Sequence, residues 1–163
     1  MALKYIRPKL KSLSQGDRIA FVRQFRRMTQ QELGERIGLK CKTKRVRNMI
    51  CRIEKQDRDI APEKVNKIAE VLDINPKMIT RWTFRAPEEL YCELLWIEEL
   101  CPDLFYRYTR TANPINETHR VLGKKYAEWR EIKTKYLKEY ITYETYMDWK
   151  LGKYPDSLKE DEQ

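Results

Sequence analysis

Apolar residues recur along this chain with the period of an α-helix, and the breaks between periodic stretches fall at capping residues. In residues 14–28, Ile19, Val22 and Phe25 stand at i, i+3 and i+6 with Phe21 beside them. That spacing predicts an amphipathic helix with arginines on its outer side. Thr29 and Glu32 then have capping-box spacing, Leu33 and Ile37 repeat at i, i+4, and Gly38 is placed to end a short second helix in the left-handed conformation. From about Lys44, Val46, Met49, Ile50 and Ile53 return at helical spacing, leaving Arg45, Arg47, Asn48, Cys51 and Arg52 on the other faces. A fourth helix in "APEKVNKIAEVL" has Pro62 near its first turn and Val65, Ile68, Ala69 and Leu72 inward. Asn75 and Pro76 predict a cap and first residue of a short fifth helix, "NPKMITRW".

The second half has a different character. Residues 81–86 predict a hinge, and "PEELYCELLWIEELCP" a helix with Leu90, Leu94, Ile97 and Cys101 on one stripe. Its glutamates, Glu88, Glu89, Glu98 and Glu99 among them, are expected on a solvated face rather than around a metal. Residues 103–115 lack a clear period and predict a loop. Asn116 is placed to cap a helix running to about Glu139, with Val121, Leu122, Tyr126, Trp129, Ile132 and Tyr136 inward. Thr142 caps a last helix closed by Gly152, and residues 155–163 have the make-up of a disordered tail. Glycine is scarce and β-branched alternation is absent, so the expected fold class is all-α, with an N-terminal domain over 1–80 and a helical domain over 87–154.

Charge sharpens this division. The net charge is +9, but residues 1–60 hold 17 Lys and Arg against 6 Asp and Glu, or +11, while residues 61–163 hold 17 against 19, or −2. A basic first third on a near-neutral remainder is the footprint of a localised polyanion contact. Anionic lipid would fit the charge, but no basic amphipathic anchor with an aromatic face accompanies it, so nucleic acid is the better partner. No apolar run is long enough to span a membrane, and the N-terminus has no secretory pattern, which argues for a cytoplasmic protein. The spacings of Cys41, Cys51, Cys92 and Cys101 fit no zinc motif, and the one histidine, His119, is remote from all of them. Reduced thiols, no metal and no cofactor are expected. No nucleophile–base pair, G-x-S-x-G, H-E-x-x-H or phosphate-cradling glycine loop is present, so no enzymatic activity is expected.

The stretch "GDRIAFVRQFRRMTQQELGERIG…ICRIEKQDRDIAPEKVNKIAEVLDINPKMI" resembles the Cro/CI-like, or XRE-type, helix-turn-helix repressors over residues 14–80. The matching motifs are an arginine-bearing first helix, T-Q-x-E-L, I-x-R-I-E and an apolar K-I-A helix, in that order. "YAEWREIKTKYLKEYITYETYMDWKLGKYP" is similar to the tail of a Gram-positive and phage-type subgroup of these regulators. The resemblance implies a five-helix lambda-repressor-like helix-turn-helix domain followed by a small helical C-terminal domain. The chain departs from the pattern twice. Gly38 to Ile50 is twelve residues where the family has about six, and Gln56 replaces the glycine that closes the recognition helix. The extra residues lengthen the turn or the start of the third helix, with "KCKTKR" reading as a basic extension of the turn, and the missing glycine predicts a helix that runs on for part of a turn.

By the same resemblance, Gln30 starts the second helix beside a phosphate, Arg47, Asn48 and Arg52 reach base edges, and Arg58 contacts a phosphate. If the insertion tilts the helix, Arg45 or Cys51 takes over one of these roles. Lys40, Lys42, Lys44 and Arg45 lie in the added segment, without family counterparts, and as a cationic run are expected along the DNA backbone. The expected function is a sequence-specific double-stranded-DNA-binding transcriptional regulator, a repressor acting as a homodimer on a palindromic operator. The alternative is a protein-binding regulator or inhibitor, such as an antitoxin or phage anti-defence factor, which autoregulates its gene and binds a protein partner through the C-terminal helices. A structured-RNA binder is a third reading.

Overall fold

Side chains at Ser14, Thr29 and Thr142 cap three of the points where this chain winds into helix. The computed structural model describes residues 7–40, 42–56, 59–81, 87–101, 117–153 and 155, with backbone alone at 87 and 117–122. Among them the chain forms seven α-helices and one 3-10 turn, with no strand. The fold class is all-α. Two compact units divide the chain, Met1–Arg81 and Trp82–Gln163.

The N-terminal unit contains α1 (Gln15–Phe25), α2 (Gln30–Arg36), α3 (Thr43–Lys55) and α4 (Pro62–Leu72). The Ser14 hydroxyl accepts from Asp17 N–H at the start of α1. Thr29 and Glu32 close the capping box at the start of α2, the hydroxyl accepting from Glu32 N–H at 3.1 Å and the carboxylate from Thr29 N–H at 2.7 Å. Those Thr29 contacts hold the Glu32 carboxyl below its ordinary range. Gly38 follows α2 at φ +87°, where a side chain is strained. Ile19, Phe21, Val22, Phe25, Leu33, Val46, Ile50, Val65, Ile68, Ala69 and Leu72 form the core. Each large member contributes about 1.5–3 kcal/mol by leaving water.

Two expectations fail here. The predicted fifth helix is one 3-10 turn, Pro76–Met78, with the Asn75 side chain accepting from Lys77 N–H. Among the described residues of that stretch Met78 and Ile79 are buried, and the turn closes with Ile79 N–H donating to Pro76 O at 3.1 Å. The arginines of α1 are not all on its outer side. Arg18 and Arg23 are buried; Arg18 Nε donates to Leu13 O, and Arg26 Nε and a terminal guanidinium nitrogen donate to Leu72 O and Asp73 O at the end of α4. An amphipathic pattern counts arginine as polar, but a guanidinium that finds carbonyl or carboxylate acceptors can sit inside.

The C-terminal unit contains α5 (Pro87–Leu100), α6 (Glu117–Leu137) and α7 (Tyr143–Lys150). The Thr142 hydroxyl caps α7 by accepting from Thr145 N–H, and Gly152 leaves it at φ +85°. On α5 the buried apolar side chains are Cys92, Leu95 and Trp96, whereas Leu90 is exposed and Leu94, Ile97 and Cys101 are half-buried. The predicted stripe therefore lies on the wrong side; the large Trp96 ring claims the interior instead. Trp129 and Trp149 are also buried, and Tyr136 stacks on Tyr146 with 5.0 Å between ring centres. Among the described residues of this unit, Trp96, Trp129, Tyr146 and Trp149 thus belong to the core, and Tyr140 is exposed. Loop residues 103–115, the Asn116 cap, the side chains of Val121 and Leu122, the 82–86 part of the hinge, and residue 154 and the tail beyond Pro155 lie outside the described residues.

The expectation of solvated α5 glutamates also fails. Glu98 is buried, and it accepts from Tyr146 Oη at 2.6 Å and Lys150 Nζ at 3.0 Å while Lys133 Nζ lies 2.5 Å from its other oxygen. Glu99 accepts from Tyr143 Oη at 2.8 Å. Burial alone would raise the Glu98 carboxyl, but Lys150, Lys133 and Tyr146 outweigh it and hold the group below its ordinary range. Burial and the adjacent Glu98 charge push the Tyr146 phenol upward, so it remains a donor. Among the described residues no helix is long and apolar enough to cross a membrane.

Candidate nucleic-acid interface

α3 is built as a two-sided element. Val46 and Ile50, four residues apart, lie on its core side, and Ile50 is 0% exposed. Lys44, Arg45, Arg47, Asn48, Arg52 and Lys55 are all exposed on the rest of the helix. Among the described residues, none of those six side chains is engaged in a hydrogen bond or ion pair. Five cations and an amide therefore project from a helix whose opposite side is locked in place.

Close packing does the locking. A β-carbon at Gly34 of α2 would overlap Val46 Cγ1 and stand 3.2 Å from Ile50 Cγ1, so the absence of a side chain lets α2 rest directly on α3. A β-carbon at Gly16 would stand 2.5 Å from Glu54 O, so the start of α1 likewise abuts the end of α3. A buried ionic contact completes the anchor. Arg23 Nε donates to Glu54 Oε1 at 2.6 Å and a terminal nitrogen to Oε2 at 3.1 Å, with the two side chains 10% and 6% exposed. The third guanidinium nitrogen donates to Met28 O at 2.7 Å. A bidentate, desolvated pair of this kind fixes orientation as well as distance.

Gln30 joins the same group. Its side-chain amide donates to Glu54 Oε2 at 2.7 Å, holding the first residue of α2 to the penultimate residue of α3. It is half-buried at the end of α2 where backbone N–H groups are exposed. Sequence reasoning assigned it only an outward contact and missed this inward one.

The added segment divides in two. Lys40 and Lys42 are exposed ahead of the helix, with Lys42 at its N-cap position and no side-chain cap bond there; Cys41 is outside the described residues. Thr43, Lys44 and Arg45 wind into α3 as its first turn, so of the two expected alternatives it is the start of the helix that these three lengthen. Alanine-like stem chemistry explains this, since lysine and arginine are good helix formers and Val46 supplies a buried anchor one position on. At the other end α3 stops at Lys55, and Gln56 leaves in an extended conformation, φ −94°, ψ 123°. The expected run-on does not occur, and extended backbone removes any need for glycine.

Of the sequence-predicted residues, Lys42, Lys44, Arg45, Arg47, Asn48 and Arg52 are thus gathered on α3 or at its cap, and Gln30 adjoins its far end through Glu54. Arg58 lies outside the described residues. Lys55 was missed, although it stands seven positions after Asn48 and four after Cys51 on the outward side. No protein-family model matches this chain, and neither a curated protein nor a solved structure does.

Proposed function

We propose that this protein is a sequence-specific double-stranded-DNA-binding regulator of the XRE-type helix-turn-helix class, acting as a repressor through a two-fold dimer on a palindromic site. The observation that carries the reading is α3: exposed Lys44, Arg45, Arg47, Asn48, Arg52 and Lys55 opposite buried Val46 and Ile50. A helix fits the major groove, arginine pairs with guanine O6 and N7, and asparagine pairs with adenine N6 and N7. Gln30, Lys42 and Arg58 serve as phosphate contacts, and Arg47, Asn48 and Arg52 as base readers. The +11 charge of residues 1–60 supplies the salt-dependent attraction to the backbone. One such module buries too little surface for tight discrimination, which is why a dimer belongs to the proposal.

Selection of bound sequences from a pool of random duplexes tests this directly. Enrichment of a short palindromic motif is the expected result, and recovery of no motif would sink the reading. A second reading, regulation through a protein partner, draws on the C-terminal unit, where Leu137 and Tyr140 are 65% and 75% exposed. Leu137→Glu with Tyr140→Ser separates the two readings: loss of dimerisation together with operator affinity assigns these side chains to the regulator's own dimer, while intact operator binding assigns them elsewhere.

A further inference from the structure

The first turn of α3 carries a side chain in line with the proposed base readers. Lys44, Arg47, Asn48 and Cys51 follow one another at i, i+3, i+4 and i+7. That spacing keeps side chains on one side of a helix. The turn is wound into the helix, because the N–H groups of Arg45 and Val46 both donate to Lys42 O, at 2.8 and 3.2 Å. Buried Val46, held beneath Gly34, then fixes the direction in which its neighbours point. Lys44, Arg47 and Asn48 are exposed together, away from the core side. Lys42 is placed differently: it precedes the helix, four residues before Val46 and so on the core-side azimuth, exposed at the N-cap.

A recognition helix meets base edges with its N-terminal residues. In α3 those residues include Lys44, for which the family pattern has no counterpart. A lysine ammonium has donors only. Guanine presents two adjacent acceptors in the major groove, O6 and N7, whereas adenine sets a donor beside its N7.

We propose that the added first turn of α3 enlarges the base-reading surface, and that Lys44 is a specificity-determining residue selecting guanine through O6 and N7. This rests on the DNA-reading function proposed above. The axial rise from Lys44 to Asn48 is about 6 Å, close to two base-pair steps of roughly 3.4 Å. The guanine selected by Lys44 therefore falls within about two base pairs of the base selected by Asn48. Lys42 grips the backbone and selects nothing.

The test compares the full-length protein with Lys44→Ala, Lys42→Ala and Asn48→Ala in selections from random duplexes at one salt concentration. Alanine keeps the helix, and circular dichroism verifies it. Lys44→Ala is expected to lose one guanine preference, on the order of tenfold, next to the position relaxed by Asn48→Ala. Lys42→Ala is expected to keep every preference while binding all sequences more weakly. In duplexes with 7-deazaguanine at the Lys44 position, the native protein is expected to lose on the order of tenfold in affinity and Lys44→Ala almost nothing. If Lys44→Ala retains the complete motif and weakens all sequences alike, Lys44 is a phosphate contact and this proposal is overturned while the DNA-reading function stands. If the native protein enriches no motif, the DNA-reading function falls and takes this proposal with it.

Discussion

In the N-terminal unit the lysines and arginines of α3 point away from the core, whereas in the C-terminal unit Lys133 and Lys150 turn inward onto Glu98. Both units bury a glutamate that gathers donors from distant parts of the chain. Glu54 gathers Arg23 and Gln30; Glu98 gathers Tyr146, Lys133 and Lys150. The difference lies in what is left over. In the N-terminal unit one buried pair braces a helix that still shows a cationic surface. In the C-terminal unit two of the lysines are spent internally, and its aromatic rings fill the space between. The charge count already sets the two regions apart, +11 over residues 1–60 against −2 over residues 61–163, but only the placement of each ammonium separates an attractive surface from a structural one.

The most damaging way to break this comparison is to remove the inward charge. Glu98→Ala deprives Lys150, whose side chain is 1% exposed, of its nearer carboxylate. Loss of one partner of a buried pair costs about 3–5 kcal/mol, so thermal denaturation followed by tryptophan fluorescence should show a large fall in stability. A loss below about 1 kcal/mol would mean that the network is solvated and unimportant. The same group gives a pH signature. Its folded-state carboxyl is held below the ordinary value of 4.5, so its stabilisation is complete above that pH and disappears as pH falls through the lower folded-state value. Glu98→Gln should flatten the acid limb of the stability–pH curve; an unchanged limb would contradict the assignment.

Next in size are the outward residues. Arg47→Ala and Asn48→Ala should each reduce operator binding by about 1–3 kcal/mol and relax preference at one base pair, with little change in melting temperature. A stability loss as large as the binding loss would place these side chains in the fold rather than at the interface. Thr29→Ala removes the α2 cap and should cost about 1 kcal/mol in denaturant unfolding. The smallest effect is expected for Lys42→Ala, a uniform weakening with the slope of log affinity against log salt reduced by about 1. An unchanged slope would remove Lys42 from the backbone contacts.

Local, periodic features were legible in the sequence. The Thr29–Glu32 box, the inward quartet Val65, Ile68, Ala69 and Leu72, and the Thr142 cap all depend on residues within one or two turns of each other, and each stands where its spacing placed it. Contacts between distant residues were not. The Arg23–Glu54 pair spans 31 positions and Tyr146–Glu98 spans 48, and nothing in either local pattern marks a charged residue as buried. The third helix was legible from about Lys44, one residue from its start at Thr43, although the lysine and arginine run leading into it also read as turn because of its charge. Lys55, in the last turn of α3, was overlooked because the candidate residues came from the family pattern and the added segment, and it belongs to neither.

The bond from Gln30 to Glu54 has a consequence for the thermodynamics of recognition. A free glutamine side chain samples many rotamers, and immobilising it on contact with a partner costs roughly 0.5–1.5 kcal/mol. Here the side chain is already tethered before any partner arrives. Whatever meets the start of α2 thus encounters a donor whose disorder was removed during folding, and the association need not spend free energy on arranging it.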